Sequence, residues 1–212
     1  MRSLLLLLLL GVQQIPAQSQ SVTRQWLGLS YEALDTENSR LNVSQFLRWK
    51  DGLFQVAISE ADFKTKVSRT INAGLEFRYI MEQDRAGAIQ GNRSASRLRF
   101  NLYHNSELGR LDLEQRVGIQ YYRRFDDGAN RLTFRFRPQV TPRIRNFKYD
   151  PSLSVEYFKQ LEAGSASSLR YGIGIPLEFD RNEFELGYFY EHSKDPLQDK
   201  QHIFALKYSR KR

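Results

Sequence analysis

The 212 residues include no cysteine, which excludes disulfides, thiolate metal ligands and a cysteine nucleophile. Only three histidines are present, at 104, 192 and 202, with no close pair of the kind zinc sites use. No glycine-rich phosphate cradle is found, and the residues imply no cofactor and no metal. After Leu10 no stretch is long and apolar enough to span a bilayer as a helix, and no helical period of 3.6 recurs. One-sided charge is also lacking. Lys+Arg of 32 against Asp+Glu of 24 gives +8, but both signs are mixed along the chain, and no nucleic-acid partner is expected. The basic tail Ser209-Arg210-Lys211-Arg212 reads as a solvated end.

The chain does carry an N-terminal basic start, a leucine run from Leu4 to Leu10 and Ile15-Pro16-Ala17. This is the layout of a secretory signal peptide cleaved after Ala17, leaving 18–212 as a single domain. The rest is dominated by alternation with a period of two. In Leu111 to Tyr122, Leu111, Leu113, Val117, Ile119 and Tyr121 share one face, and Asp112, Glu114, Arg116 and Gln120 the other. At about twelve residues this segment exceeds the usual strand of roughly 5–6 and matches the roughly 9–11 that cross a bilayer at a tilt.

The same pattern recurs at Gln25–Leu34, Leu41–Trp49, Ile71–Tyr79, Arg97–Tyr103, Arg131–Arg137, Leu153–Phe158, Leu169–Phe179, Phe184–Tyr190 and His202–Tyr208. Leu53–Ile58 and Ala61–Ser68 are shorter candidates, and the count of strands turns on them. Asp51-Gly52 signals a tight hairpin. Glu82–Ser96 reads as the longest loop, Asn105–Gly109 as a turn, and Leu161–Ser168 and Ser193–Lys200 as further loops. Pro138 and Pro142 argue against extending the strand that holds Arg135 and Arg137.

These features predict an all-β, antiparallel up-and-down barrel of ten to twelve strands. Twelve is preferred because a single-chain bacterial barrel has an even number. Alternation alone suits two barrels of opposite sense, a soluble lipocalin-like carrier with an apolar interior and a transmembrane barrel with a polar one. Strand length, aromatics at strand ends and the repeated charges favour the membrane barrel, in the outer membrane with lipid as its partner. An arginine on the lipid face costs about 2–4 kcal/mol at mid-depth, so the charged rows must face a lumen. The expected lumen-lining residues are Arg48, Glu76, Arg78, Arg97, Arg99, Glu114, Arg116, Arg135, Arg137, Glu156, Arg170, Glu178 and Glu185. Trp26, Trp49, Tyr79, Tyr121, Tyr171, Tyr188 and Tyr190 are the expected interfacial aromatics.

The runs SRLRFNLYHNSELGRLDLEQRVGIQYYRR, RLTFRFRPQV, SLSVEYF and SLRYGIGIPLEFDRNEFELGYFYEH carry a resemblance. Leu113, Glu114 and Arg116, then Arg135 and Arg137, then Glu156, Tyr157 and Phe158, then Gly187 and Tyr188 follow in the order of that family's strands. From Arg97 to the C-terminus, with an echo near Trp26 and Arg48, the chain resembles the bacterial domain-of-unknown-function 2490 family. The resemblance implies an outer-membrane barrel and no particular activity.

Two functions follow from such a barrel. The first is non-enzymatic: either a structural barrel whose lumenal Arg and Glu pair with one another, or a narrow channel for small polar or anionic solutes. The second is a lipid hydrolase, which needs a serine activated by a carboxylate-oriented histidine. His104, Ser106 and Glu107, with Glu114 on the next strand, are the nearest approach to that set. Asp126-Asp127-Gly128 and Asp180-Arg181-Asn182 read as turns rather than calcium loops. The residues name no partner protein.

Overall fold

The computed structural model describes residues 21–84, 91–147, 149–162, 167–193 and 200–211. The expected signal peptide lies outside them, as do the interiors of three expected loops. The described residues form eleven strands: β1 (Ser21–Asp35), β2 (Ser39–Lys50), β3 (Leu53–Lys66), β4 (Ile71–Asp84), β5 (Gly91–Leu108), β6 (Leu111–Arg124), β7 (Asn130–Pro142), β8 (Ser152–Gln160), β9 (Ser167–Phe179), β10 (Asn182–Ser193) and β11 (Lys200–Arg210). Each pairs with its sequence neighbour in antiparallel fashion, and β1 closes the barrel against β11 in parallel.

The expected twelve strands are corrected to eleven. Leu53–Ile58 and Ala61–Ser68 do not form two strands. Leu53–Ile58 and residues 61–66 belong to one strand, β3, which pairs without interruption from Val56 to Lys66 along β4, and Val67 and Ser68 lie beyond its end. The physical reason lies in the even positions, where Ile58, Glu60, Asp62 and Lys64 keep a single inward phase through the polar middle of the segment. An odd count makes the first and last strands run the same way. Ser21↔Lys200 through Tyr31↔Arg210 are therefore parallel partners, and Ser21 and Arg210 lie at opposite mouths.

Other boundaries move in the same direction, toward longer strands. Glu82 to Asp84 and Gly91 to Ser96 are paired strand rather than loop. Asn105 to Leu108 continue β5, and the turn is reduced to Gly109-Arg110, with Gly109 at φ 62°. Strand β7 runs through Pro138 to Pro142, with a local cost. The β7–β8 ladder holds at Phe136↔Tyr157 and Gln139↔Ser154 but carries no bridge at Arg137 or Pro138. A proline has no N–H to donate there. The Asp51-Gly52 hairpin forms as expected, with both residues at positive φ (50° and 80°). The tail is not free. Ser209 and Arg210 complete β11, and Lys211 Nζ lies 2.8 Å from Glu178 and 3.2 Å from Glu183.

The two faces differ in kind. Leu29, Tyr31, Val43, Leu75, Phe77, Leu98, Phe100, Leu102, Ile119 and Tyr171 are large apolar or aromatic side chains exposed on the outer wall. Serine, glutamate, arginine and asparagine fill the buried inner positions, joined there by Ile58, Tyr103 and Ile203. This is the reverse of a lipocalin-like interior.

Candidate functional site

The lumen is where the strands gather the largest set of charged side chains among the described residues. Alternation puts Glu76 and Arg78 of β4, Arg97 and Arg99 of β5, Glu114 and Arg116 of β6, Arg135 and Arg137 of β7, Glu156 of β8 and Arg170 of β9 on the inner face. They are organised around two carboxylates. Glu76, 3% exposed, accepts from Arg99, lies 2.8 Å from Arg78 Nε and 3.5 Å from Arg97 Nη2. Arg78 also binds Glu60. Glu156, 4% exposed, lies 2.7 Å from Nη2 of both Arg116 and Arg135, and 3.6 Å from Arg170 Nη1. Arg135 donates further to Gln120 Oε1 at 2.9 Å, and Arg170 Nε to Glu191 Oε2 at 2.9 Å.

Several contacts cross the lumen rather than run along the wall. Lys64 of β3 reaches Glu114 of β6 at 3.7 Å, and Arg137 of β7 meets the same carboxylate at 3.2 Å. The Lys64 ammonium also sits 4.0 Å from the Tyr103 ring centroid. Trp26 of β1 and Phe189 of β10 approach to 5.9 Å between centroids, two strands apart. The guanidiniums of Arg135 and Arg170 stand 4.7 and 4.8 Å from the Phe158 ring. Glycines make room for this filling. A Cβ at Gly28 would meet the Phe46 ring at 2.8 Å, and one at Gly172 the Phe189 ring at 2.7 Å.

Three of the expected site residues sit differently from the rest. Trp26 is not an interfacial aromatic. Its even position shares the inner face with Gly28, Ser30 and Glu32, and Arg48 lies 4.1 Å from its ring. Glu178 has inward phase but stands at the rim, 62% exposed in its side chain, and binds Lys211. Glu185 faces inward opposite Lys207 in register. The remaining aromatics are on the outer wall. Tyr79 stacks with Phe125, Tyr171 with Tyr190, and Trp49 meets Phe54 edge-on. Tyr188 hydrogen-bonds His202 at 2.8 Å, and Tyr121 is 43% exposed.

Several lumenal residues escaped the sequence reading. Glu60, Asp62 and Lys64 fell in the segment that was split. Their shared parity with Ile58 was the available signal. Arg24 and Glu191 sit near strand ends, and Phe46 and Phe189 are apolar side chains on the charged face, which the alternation rule hides. On β5 the strand persists past His104, so His104 and Ser106 share the outer face while Glu114 faces the lumen. In the 126–128 turn the Asp127 carboxylate accepts from the Ala129 amide at 2.9 Å and from Arg124 at 2.7 Å.

No family model matches the chain, and no curated protein matches it. Among solved structures, the beta domain of the Bordetella autotransporter Brka is similar, at 10% identity and a TM-score of 0.47, covering 75% of this chain and 79% of that one.

Proposed function

We propose that this chain is an outer-membrane β-barrel whose lumen is closed by its own ion pairs, a structural barrel rather than an open channel. The observation that carries the reading is the pair of buried hubs, Glu76 and Glu156, with Lys64–Glu114 bridging walls three strands apart. A lumen crossed by such contacts has no continuous water path of porin width.

The membrane placement rests on the outer wall. From Ile71 to Met81, β4 presents Leu75, Phe77, Tyr79 and Met81 outward. Ten steps at about 3.3 Å and a tilt of about 40° give a band of roughly 25 Å, the height of the lipid-facing band of outer-membrane barrels. A soluble chain rarely exposes an apolar surface that encircles it. Four of the five longest connections, 85–90, 125–129, 161–166 and 194–199, share one mouth, which we assign to the exterior; the fifth, 143–151, is at the other. The Leu-Glu-x-Arg, Arg-x-Arg and Glu-Tyr-Phe motifs support, as part of the same proposal, membership of the domain-of-unknown-function 2490 family.

Two measurements test this. Outer-membrane fractions should contain the protein, with a gel mobility in cold SDS that changes on boiling. In a planar bilayer the purified barrel should give no steady conductance at any salt or voltage used. Stable anion-selective steps would replace the structural barrel by the narrow-channel reading, which the arginine excess of the lumen favours.

A further inference from the structure

Among the described residues, Arg24 and Arg48 stand outside the ion-pair network. Arg24 and Trp26 lie two residues apart on β1 and so share the inner face. Register sets Arg48 of β2 opposite Trp26 and Lys50 opposite Arg24. The Arg48 guanidinium stands 4.1 Å from the Trp26 ring centroid and that of Arg170 5.4 Å. Three N–H groups here, Arg24 Nε, Trp26 Nε1 and Arg48 Nε, are shielded from solvent and have no acceptor among the described residues. All three are donors, and two belong to guanidiniums that make no ion pair among those residues.

Of the carboxylates nearby, four are already engaged, and the fifth, Glu82 of β4, makes no ion pair with Arg24 or Arg48 among the described residues. Glu191 takes both Nε and Nη2 of Arg170. Glu60 and Glu76 hold Arg78. The Asp51 carboxylate accepts from the Thr23 amide at 3.1 Å. Guanidiniums drawn from water with no direct carboxylate partner are costly, and a water molecule offers an acceptor but no charge. A planar guanidinium fork matches an oxygen anion with two or more acceptors. With guanidiniums already over the Trp26 ring, its face is not free for a stacked sugar.

We propose that Arg24, Trp26 and Arg48 form a binding site for a phosphate-type oxyanion at the mouth bounded by the Asp51-Gly52 turn. The anion accepts from the terminal amino groups of both guanidiniums, with the Trp26 indole beneath them, and Lys50 adds a positive charge at the rim. The site goes beyond the closed-barrel reading and does not depend on it. A barrel can bind an anion at one mouth whether or not its lumen conducts, and conductance and binding are read separately.

Trp26 reports on its own site. The chain has two tryptophans, so Trp49→Phe leaves Trp26 as the sole indole. In neutral detergent, inorganic phosphate added at constant ionic strength against chloride should change Trp26 emission saturably. Arg24→Gln and Arg48→Gln should each raise the half-saturating concentration by about tenfold or more, the loss expected for one charge-assisted hydrogen bond. Should Arg48→Gln lose the heat-dependent gel shift, Arg48→Lys serves instead, since it keeps the charge but removes the planar fork. Phosphatidylcholine vesicles with and without phosphatidic acid, free of inorganic phosphate, separate the sources. A response to phosphatidic acid alone identifies a lipid headgroup, and a response to inorganic phosphate alone a free solute. No saturable response to either, or titrations unchanged by substitutions that leave the barrel folded, would overturn the site.

Discussion

Glu156 shows how much one inward position can hold. Its two oxygens meet Arg116, Arg135 and Arg170 from three different strands, and its residue is 4% exposed. Glu156→Gln removes the counter-charge and leaves three guanidiniums crowded in a low-dielectric interior. Breaking a buried pair from one side costs about 3–5 kcal/mol, so the variant should lose its heat-resistant gel form at a clearly lower urea concentration. Glu178→Gln is the control at the rim, where an exposed partner of Lys211 should change stability by less than about 1 kcal/mol. Gly118 is the complementary case. A Cβ there would sit 2.5 Å from Asn101 Oδ1 and 2.9 Å from the Phe100 carbonyl oxygen. The second contact is with backbone and cannot rotate away, so Gly118→Ala should destabilise the barrel by about 1–3 kcal/mol in the same urea assay.

Among the elements, β8 is the weak one. It is the shortest strand, at nine residues, and its ladder to β7 is interrupted beside Pro138. On the outer wall the same seam is marked by a shallow apolar depression of about 530 Å³ lined by Pro138, Val140, Leu153, Val155 and Tyr171 among others. Pro138→Val restores an N–H at a β-compatible position. It should slow amide exchange on β8 near Val155 and Glu156 and stabilise the barrel by about 0.5–1.5 kcal/mol. Faster exchange there would show that the gap has another cause. The element also explains the longer strands. Where Glu82 and Ser96 read as loop from composition, pairing with an already ordered neighbour extends the ladder, because each added residue gains a partner without a new nucleation cost.

For the whole molecule, the odd strand number has a direct consequence for topology. With β1 and β11 parallel, successive turns alternate between mouths from Ser21 at one to Arg210 at the other. The chain has no cysteine, so single introduced thiols report position cleanly. Gly52→Cys, at the mouth shared with the 125–129 connection, should react with an impermeant maleimide on intact cells. Arg110→Cys at the opposite mouth should react only after the outer membrane is breached. Labelling of both on intact cells would contradict a spanning barrel.

Alternation by itself determined the class of this protein. A period of two over segments as long as Leu111–Tyr122 permits little but a barrel, and the placement of Glu114, Arg116, Arg135, Arg137 and Glu156 on one face follows from parity. Parity is a local property, which is why those assignments were legible. Which face points inward is not local, since both senses satisfy the same pattern; closure of eleven strands with Glu76 and Glu156 inside settled it. Strand number was harder to read: Ser59 to Ala61 carries no strong local preference, the shared parity of Ile58, Glu60 and Asp62 is the one local signal, and pairing with β2 and β4 makes the segment a single strand. Trp26 shows the same limit at one residue. An aromatic near a strand end satisfies a membrane interface or a lumen equally well, and only the register with Arg48 and the approach of Phe189 and Arg170 decided between them. The carboxylate each lumenal arginine meets depends on strand stagger around the closed wall, a distance between residues far apart in the chain that no local pattern encodes.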